Sequence, residues 1–491
     1  MIGPGILCPS DPPGRLLRPH TRQGTSPMTQ LLRRVLPTVA VGLLLSGCAG
    51  AVVPGQASPG PGEPVDVAPE DFPITGVSDT PIDQFARNAL TDLNAFWSDA
   101  YPEFYGEDFR PLENGYFSVD SGDIDQHAYP STGIGCDAAV TAPDSVTDNA
   151  YFDPECDLIA YDRALLKDLT EQYGRFLVPV VMAHEFGHAM QARFGFAASG
   201  RSIQDETQAD CFAGAWTAWV GSGEAGHVSL RTPELDDIVR GFLLLRDDVG
   251  TDPDTTQAHG SYFDRVSAFY EGFDGGVGAC RDGFGVERLY TAASFSEAEL
   301  GNQGNASFDD IVSWLGTTLP EFWSSVFPDA FGSEFAPPDV EGFDGTAPDC
   351  AGLEDRDLGY CAAETTVYVD QTDLATPAYE EIGDFALATA LALPYSLAVR
   401  DQAGLSVDDG AATRSAVCLT GWYEAQWFNG EFEDTVEASI SPGDIDEAVQ
   451  FLLEYGVDNQ VFPNLDASGF ELVGAYRTGF LEGGDACELA R

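Results

Sequence analysis

Apolar residues run from 176 to 183 with no charged break, and small or apolar residues continue at Ala189, Met190 and Ala192. A segment apolar on every face predicts a buried helix, here over 173–194. Further helical periodicity predicts helices over 80–98, 203–221, 233–247 and 261–273. Short β-rich runs at 115–119 and 158–161 predict strands. An alanine- and leucine-rich run from 385 to 393 predicts another buried helix. The expected fold is α+β, mainly helical with a small sheet.

The pattern repeats. Phe96, Trp97 and Pro102, then Phe109 and Pro111, return as Phe322, Trp323 and Pro328, then Phe335 and Pro337, at an offset of 226. Tyr161-Asp162 returns as Val369-Asp370. Cys211 with Gly214 returns as Cys418 with Gly421, and Gly272 with Cys280 as Gly479 with Cys487. Self-similarity on this scale predicts a second domain of similar fold. Spacing alone leaves cysteine connectivity open. Two sets of four cysteines in the same order favour one pattern used twice: Cys136–Cys156, Cys211–Cys280, Cys350–Cys361 and Cys418–Cys487.

The buried helix carries the chemistry. His184 and His188 are one turn apart, so both imidazoles face one side. A catalytic zinc site takes three protein ligands and keeps one position for water. Glu206, on the next predicted helix, is the expected third ligand to a single Zn2+. Glu185 projects beside the ion, where a carboxylate can act as general base toward a zinc-bound water. Asp210, one turn after Glu206, is expected to fix a ligand histidine through its second ring nitrogen. Asp205 is an alternative for that task.

Tyr151 to Asp162, the 184–188 motif, Glu206 through Asp210, Cys211, Gly214 and Trp216, and His259-Gly260-Ser261 with Arg265 together resemble the bacterial neutral zinc metallopeptidase family over residues 80–285. The resemblance implies a gluzincin-like, zincin-type fold with His184, His188 and Glu206 as ligands and Glu185 as base. It implies that Asp162 ends a strand, the edge strand along which a peptide would lie. It also implies a role for His259, as a donor to the oxyanion or as a brace with Arg265.

At the 207 offset set by Cys211 and Cys418, His184, Glu185, His188, Glu206 and Asp210 fall on Leu391, Ala392, Tyr395, Thr413 and Val417. The second unit thus reads as a degenerate, non-catalytic copy. The expected division is 81–285 for the metallopeptidase domain, 286–305 for a linker and 306–491 for the copy.

The N-terminal pattern differs. Residues 1–27 lack a core-forming pattern and are expected to lie upstream of the true start. Residues 28–48 read as a signal peptide ending in Leu45-Ser46-Gly47-Cys48, which resembles a lipobox with Cys48 lipidated. Residues 49–80 read as a Pro/Gly-rich tether. Export permits disulfides. A net charge of −57, with Lys167 the one lysine, argues against nucleic-acid partners. The run 385–399 is too short to span a membrane and holds Pro394. The expectation is an extracytoplasmic, lipid-anchored zinc endopeptidase of protein or peptide substrates, its oligomeric state open. Alternatives are a cell-envelope scaffold or binding protein, and a zinc amidase of cell-wall peptides.

Overall fold

Helix α1 (Pro81–Tyr105) starts where Thr80 accepts the Asp83 N–H and Pro81 supplies a preset φ. It runs past the expected end at 98, through Pro102, and stops at Gly106, whose φ of 73° suits the left-handed cap. The same device closes α7 (Phe308–Phe331), with Pro328 inside and Gly332 at φ 73°. The computed structural model describes residues 64–136, 139–195, 200–407, 409–462 and 467–487. The expected signal peptide and Cys48 lie outside the described residues.

Between α1 and α7 come β1 (Gly115–Val119), the two-residue strands β2 (Ile134–Gly135) and β3 (Val140–Thr141), β4 (Ala150–Asp153) and β5 (Leu158–Asp162). Helices α2 (Arg163–Tyr173), α3 (Leu177–Phe194), α4 (Ser202–Gly221), α5 (Thr232–Leu245) and α6 (Tyr262–Asp282) follow. After α7 the chain forms β6 (Asp339–Phe343), β7 (Leu358–Cys361) and β8 (Thr366–Asp370), then α8 (Thr376–Glu381), α9 (Asp384–Gln402), α10 (Gly410–Phe428), α11 (Glu433–Val436), α12 (Asp444–Glu454) and α13 (Gly469–Glu482). The chain is thus mixed helix and sheet, predominantly helical.

The two halves share a topology. In the order β1-β5-β4, β5 runs parallel to β1 and antiparallel to β4; β6-β8-β7 repeats that order and sense. Asp162 ends β5 as expected, but β5 is the central strand and not an edge. Its carboxylate accepts the N–H groups of Ala164, Ser121 and Asp148, which caps α2 and pins two loops. Asp370 does the same for Thr372, Asp373 and Gly345. The edges are β4 and β1, the latter covered at one residue by Thr75.

Disulfides join the four expected pairs, and Cys211–Cys280 and Cys418–Cys487 each close a separation of 69 residues. Cys211–Cys280 clamps α4 to α6, and Cys418–Cys487 ties α10 to the end of the 3-10 turn that follows α13. Gly272 lies against the Cys211 carbonyl and Gly479 against the Cys418 carbonyl so closely that a Cβ would collide with either. Four disulfides fit an oxidising compartment outside the cytoplasm. Among the described residues, no helix is long and apolar enough to cross a membrane.

One hydrophobic cluster runs through both halves, from Leu93 and Trp216 to Trp323 and Leu452. Residues 286–305 contribute one short 3-10 turn, Glu299–Gly301. The tether expectation fails from residue 64 onward: Val67 and Ile74 are buried, Val67 N–H bonds Asn88, and Thr75 pairs with Phe117. Phe72 and Val77 also pack on the core, and Gln84, Arg87 and Asn88 of α1 bond the stretch at Val67, Phe72 and Asp66.

Candidate metal centre

Helix α3 is buried nearly throughout, because its flanks pack against α1 and α4. That burial fixes where His184 and His188 point. His184 Nδ1 lies 2.7 Å from Asp210 Oδ1, and His188 Nδ1 lies 2.8 Å from Gln191 Oε1. Both acceptors are oxygens, so both Nδ1 atoms carry the proton and both Nε2 lone pairs are left for a ligand. Those Nε2 atoms are 3.1 Å apart; Glu206 Oε2 is 3.2 Å from His184 Nε2, and Glu206 Oε1 is 3.4 Å from His188 Nε2. Donors about 2.0–2.2 Å from a tetrahedral zinc stand roughly 3.3–3.5 Å from one another. The three residues therefore fit one zinc, in donor type and in spacing.

The surrounding bonds hold this arrangement. Arg265 on α6 grips Asp210 with two nitrogens, at 2.7 and 2.8 Å, and also donates to the Leu245 carbonyl. Gln191 is fully buried and gives its amide N–H to the Asp205 carbonyl and to Gln208, which turns its own oxygen toward His188. Gln208 in turn donates to the Cys280 carbonyl at 2.9 Å. The disulfide-clamped pair α4–α6 is thus tied to the ligand set.

Electrostatics favour a cation here. Burial pushes His184 down, but the charge and hydrogen bond of Asp210, then Glu206, raise it to about 10. Burial lowers His188 too, and Glu206 more than reverses it. Burial works to raise Glu206, yet its bonds to the two histidines hold it well below the usual carboxylate range. Asp210 is likewise held low, by Arg265 and His184 against burial. Imidazoles that cling to protons among carboxylates mark a place where positive charge is stabilised.

Glu185 stands beside the three. Burial raises its carboxyl above the usual range, while the neighbouring histidines pull it back. Its Oε2 accepts the Phe152 N–H of the edge strand β4 at 2.9 Å. A cleft of about 740 Å³ opens over the site and is lined by His184, Glu185, Tyr151, Phe152, Leu245 and His259 among others. His259 lies on its wall, about half exposed; its Nδ1 meets Asp247 Oδ1 at 3.0 Å, and the Asp247 carboxylate also accepts the His259 and Gly260 backbone N–H groups.

Sequence reasoning missed Gln191 and Asp247. Gln191 had a signal, its place one turn after His188. Asp247 had none, since it approaches His259 from another segment. Asp205 contributes a backbone carbonyl to this network.

In the second half the same positions are apolar or uncharged. Leu391, Ala392, Tyr395, Thr413 and Val417 are all buried. Arg265 has its counterpart at Leu472, so the Asp210–Arg265 ion pair becomes Val417 and Leu472, both fully buried. One bond of the scaffold survives: Ser415, at the place of Gln208, donates to the Cys487 carbonyl at 2.6 Å.

No family profile matches the chain, and no solved structure does. The chain is similar to the uncharacterized protein YpfJ of Escherichia coli, 27% identical over 177 residues, which is 31% of this chain and 58% of that protein. It is also similar to the uncharacterized protein Rv2575 of Mycobacterium tuberculosis, 28% identical over 196 residues, 34% of this chain and 63% of that protein. The match thus spans about three fifths of the length of these curated relatives.

Proposed function

We propose that this chain is an exported, lipid-anchored zinc metallopeptidase whose first half is catalytic and whose second half is a ligand-free copy of the same zincin-like unit. The observation that carries the reading is the meeting of His184 Nε2, His188 Nε2 and the Glu206 carboxylate within 3.1–3.4 Å at the base of an open cleft. A zinc ion bound there supplies Lewis-acid polarisation of water and of a substrate carbonyl. Glu185 takes the proton of the attacking water and passes it to the leaving amine. Its burial beside the ligands raises its proton affinity toward that task. The bond from Phe152 N–H keeps its carboxylate aimed. His259, with Asp247 on Nδ1, has Nε2 left to donate to the developing oxyanion when the ring is protonated. The edge of β4, whose Phe152 N–H is taken by Glu185, supplies one wall along which an extended peptide can lie.

Casein cleavage by zinc-loaded protein tests the reading. Glu185→Gln is expected to keep the metal and to lose about 100- to 10,000-fold in kcat. Equal cleavage by the two proteins would remove Glu185 from the mechanism. Cleavage of cell-wall peptides with none of casein would move the substrate class to the amidase alternative.

A further inference from the structure

A second group of ligand-type side chains lies away from the histidines. Asp384 opens α9, and Asp444 and Glu447 sit three residues apart in the first turns of α12. Carboxyl oxygens of all three lie within 4.8 Å of one another. Asp384 is 3% exposed and Asp444 5% exposed. Three of the oxygens are engaged: Asp384 Oδ2 accepts the Ala306 N–H, Asp444 Oδ2 the Ser441 N–H, and Glu447 Oε2 the Phe385 N–H. Asp384 Oδ1 is buried and receives no N–H or O–H from the surrounding protein, and the Asp384 and Glu447 carboxyls meet at hydrogen-bond range, where two anions need a proton or a cation between them. Among the described residues, no lysine, arginine or histidine pairs with any of the three.

We propose that Asp384, Asp444 and Glu447 form a binding site for a hard divalent cation of the Ca2+ class. All donors are carboxylate oxygens, which suit Ca2+ and not a thiophilic or imidazole-seeking metal. Three oxygens evenly spread about 2.4–2.6 Å from one Ca2+ stand about 4.2–4.5 Å from one another, so groups already within 4.8 Å share an ion after a small side-chain shift at most. The lone Asp384 oxygen then gains the partner it lacks. Burial, then the charges of the neighbouring carboxylates, raises Glu447 and Asp444 well above the carboxylate range, as expected of acids gathered without a counter-charge. A cavity of about 470 Å³ lined by Asn305, Asp384, Ser441 and Asp444 gives an entry path from solvent. Additional oxygens are within the same cavity wall, at Glu299 and Ser307.

The site belongs to the second half alone. Because Asp236 of the first half takes the place of Asp446, Asp444 and Glu447 correspond to Glu234 and Asp237, and there Arg175 pairs with Glu234 at 2.8 Å, a counter-charge that the second-half cluster lacks. A cation here ties together the 305–306 segment, which is bonded to Asp384, and the starts of α9 and α12. Its role is thus structural, a cross-link at the junction of the halves, distinct from the histidine site.

Thermal unfolding of the zinc-loaded full chain against CaCl2 tests this. A rise in Tm of about 3 °C is expected once Ca2+ exceeds its Kd about a hundredfold. The same rise is expected in His184→Ala/His188→Ala, which separates the two sites. Glu447→Gln keeps an oxygen for the Phe385 N–H and is expected to lose the rise. Tb3+ luminescence on the unmodified protein, sensitised by Trp314 and Trp427 of the cavity wall and quenched by added Ca2+, checks binding without any substitution. No Tm change and no Ca2+-displaceable Tb3+ signal would overturn the proposal, as would a full rise in a folded Glu447→Gln protein; the cluster would then hold shared protons instead.

Discussion

At the scale of single residues, the candidate metal centre is an arrangement of proton positions. Asp210 and Gln191 take the Nδ1 protons, and that leaves two Nε2 lone pairs converging with Glu206. Asp210→Asn is expected to weaken zinc binding about 10- to 100-fold, by losing the charge that orients His184 and by leaving Arg265 short of its counter-ion. Zinc affinity from a competition titration with a chromophoric chelator checks it; unchanged affinity would reduce Asp210 to a packing role. The spacing of His184, Glu185 and His188 was legible because helix geometry maps i and i+4 onto one face. The tasks of Gln191 and Asp247 were not, because each depends on which distant segment folds against it.

At the scale of elements, the second half carries a buried acid of its own. On α10, Glu424 is fully buried; Tyr476 of α13 and Thr389 of α9 donate to it at 2.6 and 3.0 Å. Burial, opposed by these two bonds, raises it from 4.5 to about 8. The folded protein therefore holds a proton that the unfolded chain releases. The stability this contributes is complete below about pH 4.5 and is lost as pH rises toward 8, by about 1.4 kcal/mol per pH unit. Urea unfolding from pH 4.5 to 8 is expected to show that slope in the wild type relative to Glu424→Gln. Parallel curves for the two proteins would mean the acid ionises freely. The disulfides and paired glycines of these elements were legible because the chain states them twice. The edge position of β4 was not, since strand order within a sheet depends on pairings that no local pattern records.

At the scale of the molecule, the halves grip each other reciprocally. Asp446 of α12 accepts the Tyr262 and Phe263 N–H groups that open α6, at 3.0 and 2.8 Å, and pairs with Arg246 at 2.8 Å. Asp236 of α5 accepts the Gly469 and Phe470 N–H groups that open α13, at 3.1 and 2.8 Å. Each half thus caps a helix of the other. Arg246 precedes Asp247, the partner of His259, so the second half braces the cleft wall. Asp446→Ala leaves a partly exposed arginine and two helix N–H groups unpaired and is expected to cost about 2–4 kcal/mol, with a fall in kcat at unchanged zinc content. Thermal unfolding together with metal analysis checks both parts. This interlock was not legible in sequence, because its partners lie about two hundred residues apart with no shared pattern.

The central claim is that three side chains of the first half hold one zinc ion and that the second half holds none. Zinc per chain, measured by mass spectrometry on protein purified without added metal chelators, tests it most directly. About one zinc is expected in the wild type and close to none in a folded His188→Ala protein. A folded wild type without zinc, or a His188→Ala protein that keeps a full equivalent, would contradict it.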